Sequence, residues 1–331
     1  MPGTVLITGI TGFAGSHLAE RFVTAGKIVH GIAHEDPPFA NLAAVADRVR
    51  VHRANILDIA SVRDAVAAAR PATVVHLAAQ AVPTLAAQDP VSAVRVNVLG
   101  TATLLAALDA HPEIRLVMAS SADVYGAPDS ELVDESAPLR PANVYAATKV
   151  ASEALVTEFG DRRAAATTVL RPANQNGPRQ HPGLAASAFA KQIAEAEAGI
   201  AEAVVKHGVL DARRDFLDVR DMADAYARAA ELTDPGVAVY NVGTGVAVSV
   251  GEILEALIAL ARVPVRAEID PERVRSGAPT DFALDARRFR GRTGWAPRMD
   301  LRTSLRDTLD YWRGQVRAEA GVGPPGRGAT A

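Results

Sequence analysis

Tyr145 and Lys149 stand four apart in a stretch, 144–159, whose pattern predicts a helix, so their side chains share one face about one turn apart. An ammonium beside a phenol favours the phenolate and lowers its pKa. Such a tyrosine can exchange a proton with a substrate oxygen while hydride moves at the adjoining carbon. Ser121 follows an apolar run, 114–120, that predicts a buried strand. Ligands of open parallel sheets bind beyond the carboxyl ends of the strands, so Ser121 is expected there to hold the same oxygen. By themselves, a tyrosine and a lysine on a helix are more often a solvated pair. What turns them into chemistry is a place for a hydride carrier.

The stretch Thr8-Gly9-Ile10-Thr11-Gly12-Phe13-Ala14-Gly15-Ser16 predicts that place. It follows Val5-Leu6-Ile7, which predicts a buried parallel strand, and precedes 17–23, which predicts a helix. Strand, glycine turn and helix together receive a dinucleotide pyrophosphate. Gly9 permits a sharp turn, while Gly12 and Gly15 remove side chains where phosphate and strand approach. The N–H groups at the helix start then face phosphate oxygens. A plain strand-to-helix turn is the blander account of three glycines, and the flanking elements favour the sharper one.

The elements that must position these groups recur along the chain. Apolar strands over 27–33, 50–52, 73–77, 114–120 and 167–170 alternate with helices over 61–69, 90–109 and 144–159. Ser61 is expected to cap the first of these, and Pro71 to stop it. The alternation predicts an α/β Rossmann fold, a doubly wound parallel sheet covered on both faces. Beyond Arg171 the rhythm breaks at Pro172, Gly177, Pro178, Pro182 and Gly183. Helices then recur over 184–198, 221–232, 250–261 and 301–317, and a strand at 239–242 could rejoin the first sheet. The expected division is a dinucleotide-binding domain over 1–171, with 215–244 returning to it. A smaller α/β substrate-binding domain takes 172–214 and 245–318, and a disordered tail 319–331.

With 331 residues the chain can bury a substantial core, and 49% hydrophobic with 22% charged residues suits a globular protein. A formal net charge of −3 argues against a general nucleic-acid or anionic-membrane partner. The absence of cysteine excludes disulfides, thiolate nucleophiles and thiolate metal sites. No apolar run is expected to span a membrane, and the N-terminus lacks a secretory core, so a cytoplasmic location is expected. His30 and His34 lie in a strand and its loop, which argues against a metal site. The chain has no Gly-x-Ser-x-Gly elbow to make Ser121 an acyl-transfer nucleophile.

Taken together, the motifs resemble the extended short-chain dehydrogenase/reductase family. They are Gly9/Gly12/Gly15, Leu77-Ala78-Ala79, 97–101, 120–126, Tyr145-x-x-x-Lys149, Arg171-Pro172-Ala173-Asn174, 214–221, Tyr240-Asn241-Val242-Gly243 and Gly294-Trp295-Ala296-Pro297. The likeness runs from about residue 3 to about 315 and is strongest to the branch of GDP-4-keto-6-deoxy-mannose reductases and GDP-mannose 4,6-dehydratases. It implies a nucleotide-diphosphate sugar as substrate, NAD or NADP as cofactor, and a homodimer paired through the helices near 90–109 and 144–159. Phe13 and Ala14 would offer N–H groups to the pyrophosphate. Asn55 and Ile56 would flank adenine, and Leu77, Ala78 and Ala79 would line the ribose pocket. Tyr145 and Lys149 would also hold the nicotinamide ribose, with Pro172 by the carboxamide. Asn174, Arg179, Arg214 and Arg275 match the nucleotide-sugar side. An arginine can grip two phosphate oxygens at once. Surface ion pairing with Asp211, Asp215 or Asp218 is the competing account of Arg214.

Departures from the family pattern narrow the reaction. Dehydratases of the family carry Thr-Asp-Glu or Thr-Ser-Glu where this chain has Ser121-Ala122-Asp123. Ala122 cannot transfer a proton and Asp123 is a methylene shorter than Glu, which disfavours elimination of water. Ser121, Tyr145 and Lys149 still support hydride exchange at C4, either as 4-keto reduction, the leading expectation, or as 4-epimerisation. Ala33 occupies the place where NAD-preferring members carry an acid. His34-Glu35-Asp36 follow, and carboxylates there would repel a 2′-phosphate, so the lean is to NAD. A non-catalytic binder is disfavoured by the complete Ser/Tyr/Lys set.

Overall fold

The computed structural model describes residues 3–163, 165–274 and 281–320. Its central sheet has seven parallel strands. In chain order they are β1 (Thr4–Thr8), β2 (Ile28–Ala33), β3 (Val49–Arg53), β4 (Thr73–His76), β5 (Arg115–Ala119), β6 (Ala166–Pro172) and β7 (Gly236–Val242). Their spatial order is β7-β6-β5-β4-β1-β2-β3. The winding direction reverses between β1 and β4, so a crevice opens at the carboxyl ends of those two strands. All seven strands fall on stretches read as strands from the sequence.

The near-continuous apolar character of β1, β4, β5 and β6 is what a doubly covered strand requires, because both faces are dry. One layer packs Val5, Ile7, Leu18 and Phe22 with Leu170 and Tyr240; the other packs Leu6, Val62, Val66 and Val74 with Leu104, Leu108 and Phe159. The covering helices include α1 (Phe13–Thr24), α2 (Ile59–Ala69), α3 (the continuous Pro90–Leu108), α4 (Val144–Asp161) and α5 (Val219–Ala229). The cap of α2 is Asp58, whose side chain accepts from the Ala60 N–H at 3.1 Å. Ser61 lies inside the helix and donates back to the Asn55 and Asp58 carbonyls, so the expected cap was three residues late.

α3 carries a π-turn over Arg95–Leu99. By length and composition it could cross a membrane, contrary to the expectation that no run would reach that length. Half of it is buried against the protein, and its Asn97 and Thr101 make buried hydrogen bonds, as in the core helix of a folded domain.

The chain divides into two units. One comprises the described residues of 1–175, 214–247 and 280–299; the other, those of 176–213, 248–279 and 300–331. Residues 281–299, expected with the second domain, thus lie with the first. Leu284 N donates to the buried Asp215 carboxylate, Arg298 N and Met299 N donate to Asp221, and Phe289 makes tilted ring contacts with both Tyr240 and Trp295. The second unit packs the helices Ala185–Glu197, Val250–Ile258 and Leu301–Glu319 together. Glu319 is therefore the end of a helix, not the start of a tail; the remainder of the expected tail, 321–331, lies outside the described residues.

Candidate active site

β5 ends at Ala119, and two residues later a 3-10 turn, Ala122–Tyr125, begins with Ser121 as its cap. The Ser121 hydroxyl accepts from the Asp123 N–H at 3.1 Å, which fixes it at the carboxyl edge of the sheet. α4 is capped by Asn143, whose side chain accepts from Ala146 N at 2.8 Å. That cap sets the register that places Tyr145 and Lys149 on the buried face of the helix. The Tyr145 phenol lies close enough to the Ser121 side chain for the serine to favour its ionisation. Ser121 and Tyr145 can therefore meet one substrate oxygen.

Lys149 does not act on the phenol as the spacing suggested. Its Nζ donates to the Ala119 carbonyl at 2.8 Å and lies 5.9 Å from the centroid of the Tyr145 ring. Burial pushes the Lys149 pKa down to about 8, and the Glu153 carboxylate one turn along opposes that shift. The Tyr145 phenol is pushed up, first by burial and then by the negative charge of Asp123; the nearby Ser121 side chain opposes. The expected lowering by Lys149 is absent because its ammonium is tied to the end of β5. Glu153 is itself held by a buried ion pair with Arg171 at 2.7 Å and by Ser120. Arg171 donates on to the Tyr125 hydroxyl at 2.9 Å, which donates to Asn241 Oδ1 at 2.7 Å.

The glycine turn has the shape of a cradle. Gly9 has φ +69°, and a side chain there would stand 2.9 Å from the Ala78 backbone. A side chain at Gly15 would collide with the Gly9 carbonyl, so only glycine lets α1 start this close to β1. Gly12 caps α1 without a side-chain hydrogen bond, and a Cβ there would meet the Gly9 carbonyl at 3.2 Å and no other atom close by. The first N–H groups of α1, at Phe13 and Ala14, are thus left for an anion. These features fit a dinucleotide pyrophosphate.

Comparison with known proteins decides the family. The family model for GDP-mannose 4,6 dehydratase matches residues 6–308. GDP-6-deoxy-D-mannose reductase of Pseudomonas aeruginosa is 33% identical over an alignment of 326 positions that covers 96% of this chain and 100% of the relative. The chain belongs to the extended short-chain dehydrogenase/reductases, in their NAD-dependent epimerase/dehydratase family. Among solved structures, RMD from P. aeruginosa complexed with NADPH is 30% identical with a TM-score of 0.78, covering 94% of this chain and 99% of that one. The UDP-glucose 4-epimerase of Thermus thermophilus complexed with NAD is 31% identical with a TM-score of 0.81, covering 94% and 99%.

Within this extended short-chain dehydrogenase/reductase, the other expected site residues take varied places. Asp123 is half-buried; burial raises its pKa and the Arg214 guanidinium opposes. Arg214 lies over the Phe282 ring at 5.3 Å and feels Asp123 and Asp281. Of the competing aspartates, Asp215 accepts from Thr244 and Gly245, and Asp218 pairs with Arg220 at 2.8 Å. Asn55 Oδ1 accepts from Leu57 N, which shapes the turn into α2, and Ile56 packs beside Gly100. Pro172 ends β6 opposite Val242, with Asn174 just beyond. Arg179 belongs to the second unit, where its φ is +73° and its charge acts on Tyr311. Arg275 lies outside the described residues. His30 pairs with His52, Nδ1 to Nε2 at 2.8 Å, and not with His34.

Sequence reasoning missed a buried relay behind the site. Thr8 Oγ1 accepts from Leu77 N and Ala78 N at 3.2 and 3.1 Å and meets His76 Nδ1 at 2.7 Å. His76 Nε2 meets Thr101 Oγ1 at 3.0 Å, and Thr101 donates to the Asn97 carbonyl. Asn97 Nδ2 donates to Thr148 Oγ1 at 2.8 Å, which donates to the Tyr145 carbonyl at 2.7 Å. The backbone just after β4 and the start of α4 are thereby fixed to one another. The available signal was a threonine and a histidine at the carboxyl ends of two largely apolar buried strands; buried polar groups are hydrogen-bonded.

Proposed function

We propose that this enzyme reduces the C4 carbonyl of a GDP-4-keto-6-deoxy sugar with NAD(P)H. The observation that carries the reading is the approach of the Ser121 hydroxyl to the Tyr145 phenol beside Ser121-Ala122-Asp123, a segment short of the acid and base that elimination needs. A reduced nicotinamide, when bound, supplies hydride to the sugar carbon. Tyr145 gives its proton to the C4 oxygen. Burial and Asp123 keep that phenol protonated beforehand, which is the form a reduction consumes. Ser121 orients the same oxygen, and the Lys149 ammonium adds positive charge near it.

Gly9, Thr11, Gly12, Phe13, Ala14 and Gly15 would hold the pyrophosphate side, and Leu77 to Ala79 the ribose. Asn174 and Arg214 are assigned to the nucleotide-sugar, as is Arg179 on the family resemblance alone. A homodimer and a cytoplasmic setting belong to the same reading. The test is to mix the protein with GDP-4-keto-6-deoxy-mannose and either reduced nicotinamide. Cofactor oxidation with formation of the 4-hydroxy sugar is expected, and its absence with both cofactors would refute the reading.

A second reading, NDP-sugar 4-epimerisation, is favoured by the carboxylates that follow β2, since an epimerase retaining NAD would use them. Denaturing the purified protein separates the two. About one nicotinamide released per chain supports the epimerase, and an empty site supports the reductase.

A further inference from the structure

Behind the residues assigned to substrate and cofactor runs a buried polar chain that the proposed reaction leaves without a duty. Glu153 lies one turn beyond Lys149 on α4, and Arg171 stands near the end of β6. Each side chain is 7% exposed. The guanidinium grips the carboxylate from Nε at 3.0 and 3.2 Å and from Nη2 at 2.7 Å. Its Nη1 donates to the Tyr125 hydroxyl at 2.9 Å and to the Glu135 carbonyl at 3.3 Å. Tyr125 donates on to Asn241 Oδ1 at 2.7 Å, and Asn241 Nδ2 donates to the Val133 carbonyl at 2.9 Å. Tyr125 and Asn241 are fully buried. All three nitrogens of the fork are thus engaged. A buried ion pair adds little net stability over apolar residues of like volume, so stability alone does not account for this one.

The chain ends on the strand that carries the catalytic serine. The Glu153 carboxylate also accepts from Ser120 Oγ, and Ser120 N donates to the Leu170 carbonyl at 2.7 Å. The residue before Ser120 is Ala119, whose carbonyl receives the Lys149 ammonium at 2.8 Å; the residue after it is Ser121. Resting on the hydride-transfer reading of this site, we propose that Arg171 is a positioning residue: through its grip on Glu153 it sets where the Ser121 hydroxyl and the Lys149 ammonium stand, without itself touching substrate or cofactor. Tyr125 and Asn241 hold Arg171 to that place from the turn after β5 and from β7. The segments 120–126, 171–174 and 240–243, singled out in the sequence, meet in this one chain. A lysine at 171 would keep the charge and lose the planar fork.

Steady-state kinetics of the full-length protein, beside urea unfolding, separate positioning from stability. The double variant Glu153→Leu with Arg171→Met exchanges the pair for apolar residues, so its unfolding midpoint is expected close to wild type. Its kcat should fall at least about tenfold with KM within about twofold, because misplaced groups cost rate before binding. A folded double variant with wild-type kcat would show the pair to be structural only and overturn the proposal. Should the double variant not fold, Tyr125→Phe decides: it keeps the ring and removes one link, and an unchanged kcat there overturns the proposal, while a fall with KM retained upholds it. A readout without substrate stands beside these. The chain has four lysines, so nitrogen-15 lysine NMR resolves Lys149 as the signal lost in Lys149→Arg. Its titration midpoint should drop in the double variant, which removes the Glu153 carboxylate and leaves Tyr145 and His76, the other titratable groups it meets, in place. An unmoved midpoint overturns the proposal. A wild type that neither reduces GDP-4-keto-6-deoxy-mannose nor epimerises UDP-glucose refutes the reaction reading instead, and the Lys149 midpoint then decides the positioning by itself.

Discussion

At the scale of single residues, the proposed reduction gives two hydroxyls different duties. Tyr145→Phe removes the proton that the proposed reduction delivers to the C4 oxygen but leaves the aromatic body in its buried place. Turnover is expected to fall about 10²–10⁴-fold, with NAD(P)H affinity within a few-fold, as read by steady-state rates beside a binding titration. Near-normal turnover would remove Tyr145 from the reaction. Lys149 sets a limit in pH. Its ammonium, with a pKa pushed down to about 8, is lost on the alkaline side, so kcat/KM should fall as pH rises through that value. Because the Glu153 carboxylate holds the lysine pKa up, Glu153→Gln should move that fall to lower pH. A midpoint unchanged in that variant would separate the titration from Lys149.

The spacing of Tyr145 and Lys149 was legible because helical periodicity makes residues four apart neighbours whatever surrounds them. Their electrostatic relation was not. It depends on the Ala119 carbonyl and on Asp123, which are distant in sequence and reach the pair through the sheet and the short turn after β5.

At the scale of elements, the strands were legible because burial on both faces writes itself as short apolar runs. The cap of α2 was misplaced because Asp58 and Ser61 are both good capping residues, and which one adopts the extended backbone is settled by the turn at Asn55. The return of 281–299 to the first unit was hidden, since it depends on two buried carboxylates, Asp215 and Asp221, finding backbone N–H groups far along the chain.

The relay through His76 makes an element-scale prediction. Burial first, and then the charge of Lys149, push the His76 pKa down to about 3, so the ring stays neutral in the fold. The unfolded chain takes up that proton below about 6.5. Between those values the unfolded state binds more protons, so stability falls as pH falls, by up to about 1.4 kcal/mol per unit from this group. His30 and His52 are shifted in the same direction and add to the wild-type slope. Urea unfolding of His76→Asn at several mildly acidic pH values should show a shallower slope than wild type. Parallel slopes would mean that His76 is not the neutral buried group described.

At the scale of the whole molecule, one face of α3 is left bare. Its inner side carries the relay, yet Val91, Val94 and Leu99 are 69, 48 and 50% exposed. Exposed apolar residues scattered singly need no explanation, but three within nine positions of one helix form a stripe. The stripe survives the π-turn, which rotates Leu99 relative to a regular helix. A second copy of the same helix, related by a twofold axis, would cover it with chemically identical residues, as closed symmetric pairs do. Because they are already part-buried, each of those side chains would gain about half to two-thirds of the roughly 1.5–3 kcal/mol that full burial is worth, and six of them across a twofold would form the apolar centre of an interface. Light scattering at micromolar concentration should therefore give twice the 34.6 kDa chain mass. The double variant Val94→Asp with Leu99→Asp should give a single chain mass with helical content unchanged, because both positions face away from the core. A wild type that runs as a single chain would show that the stripe is simply tolerated in water.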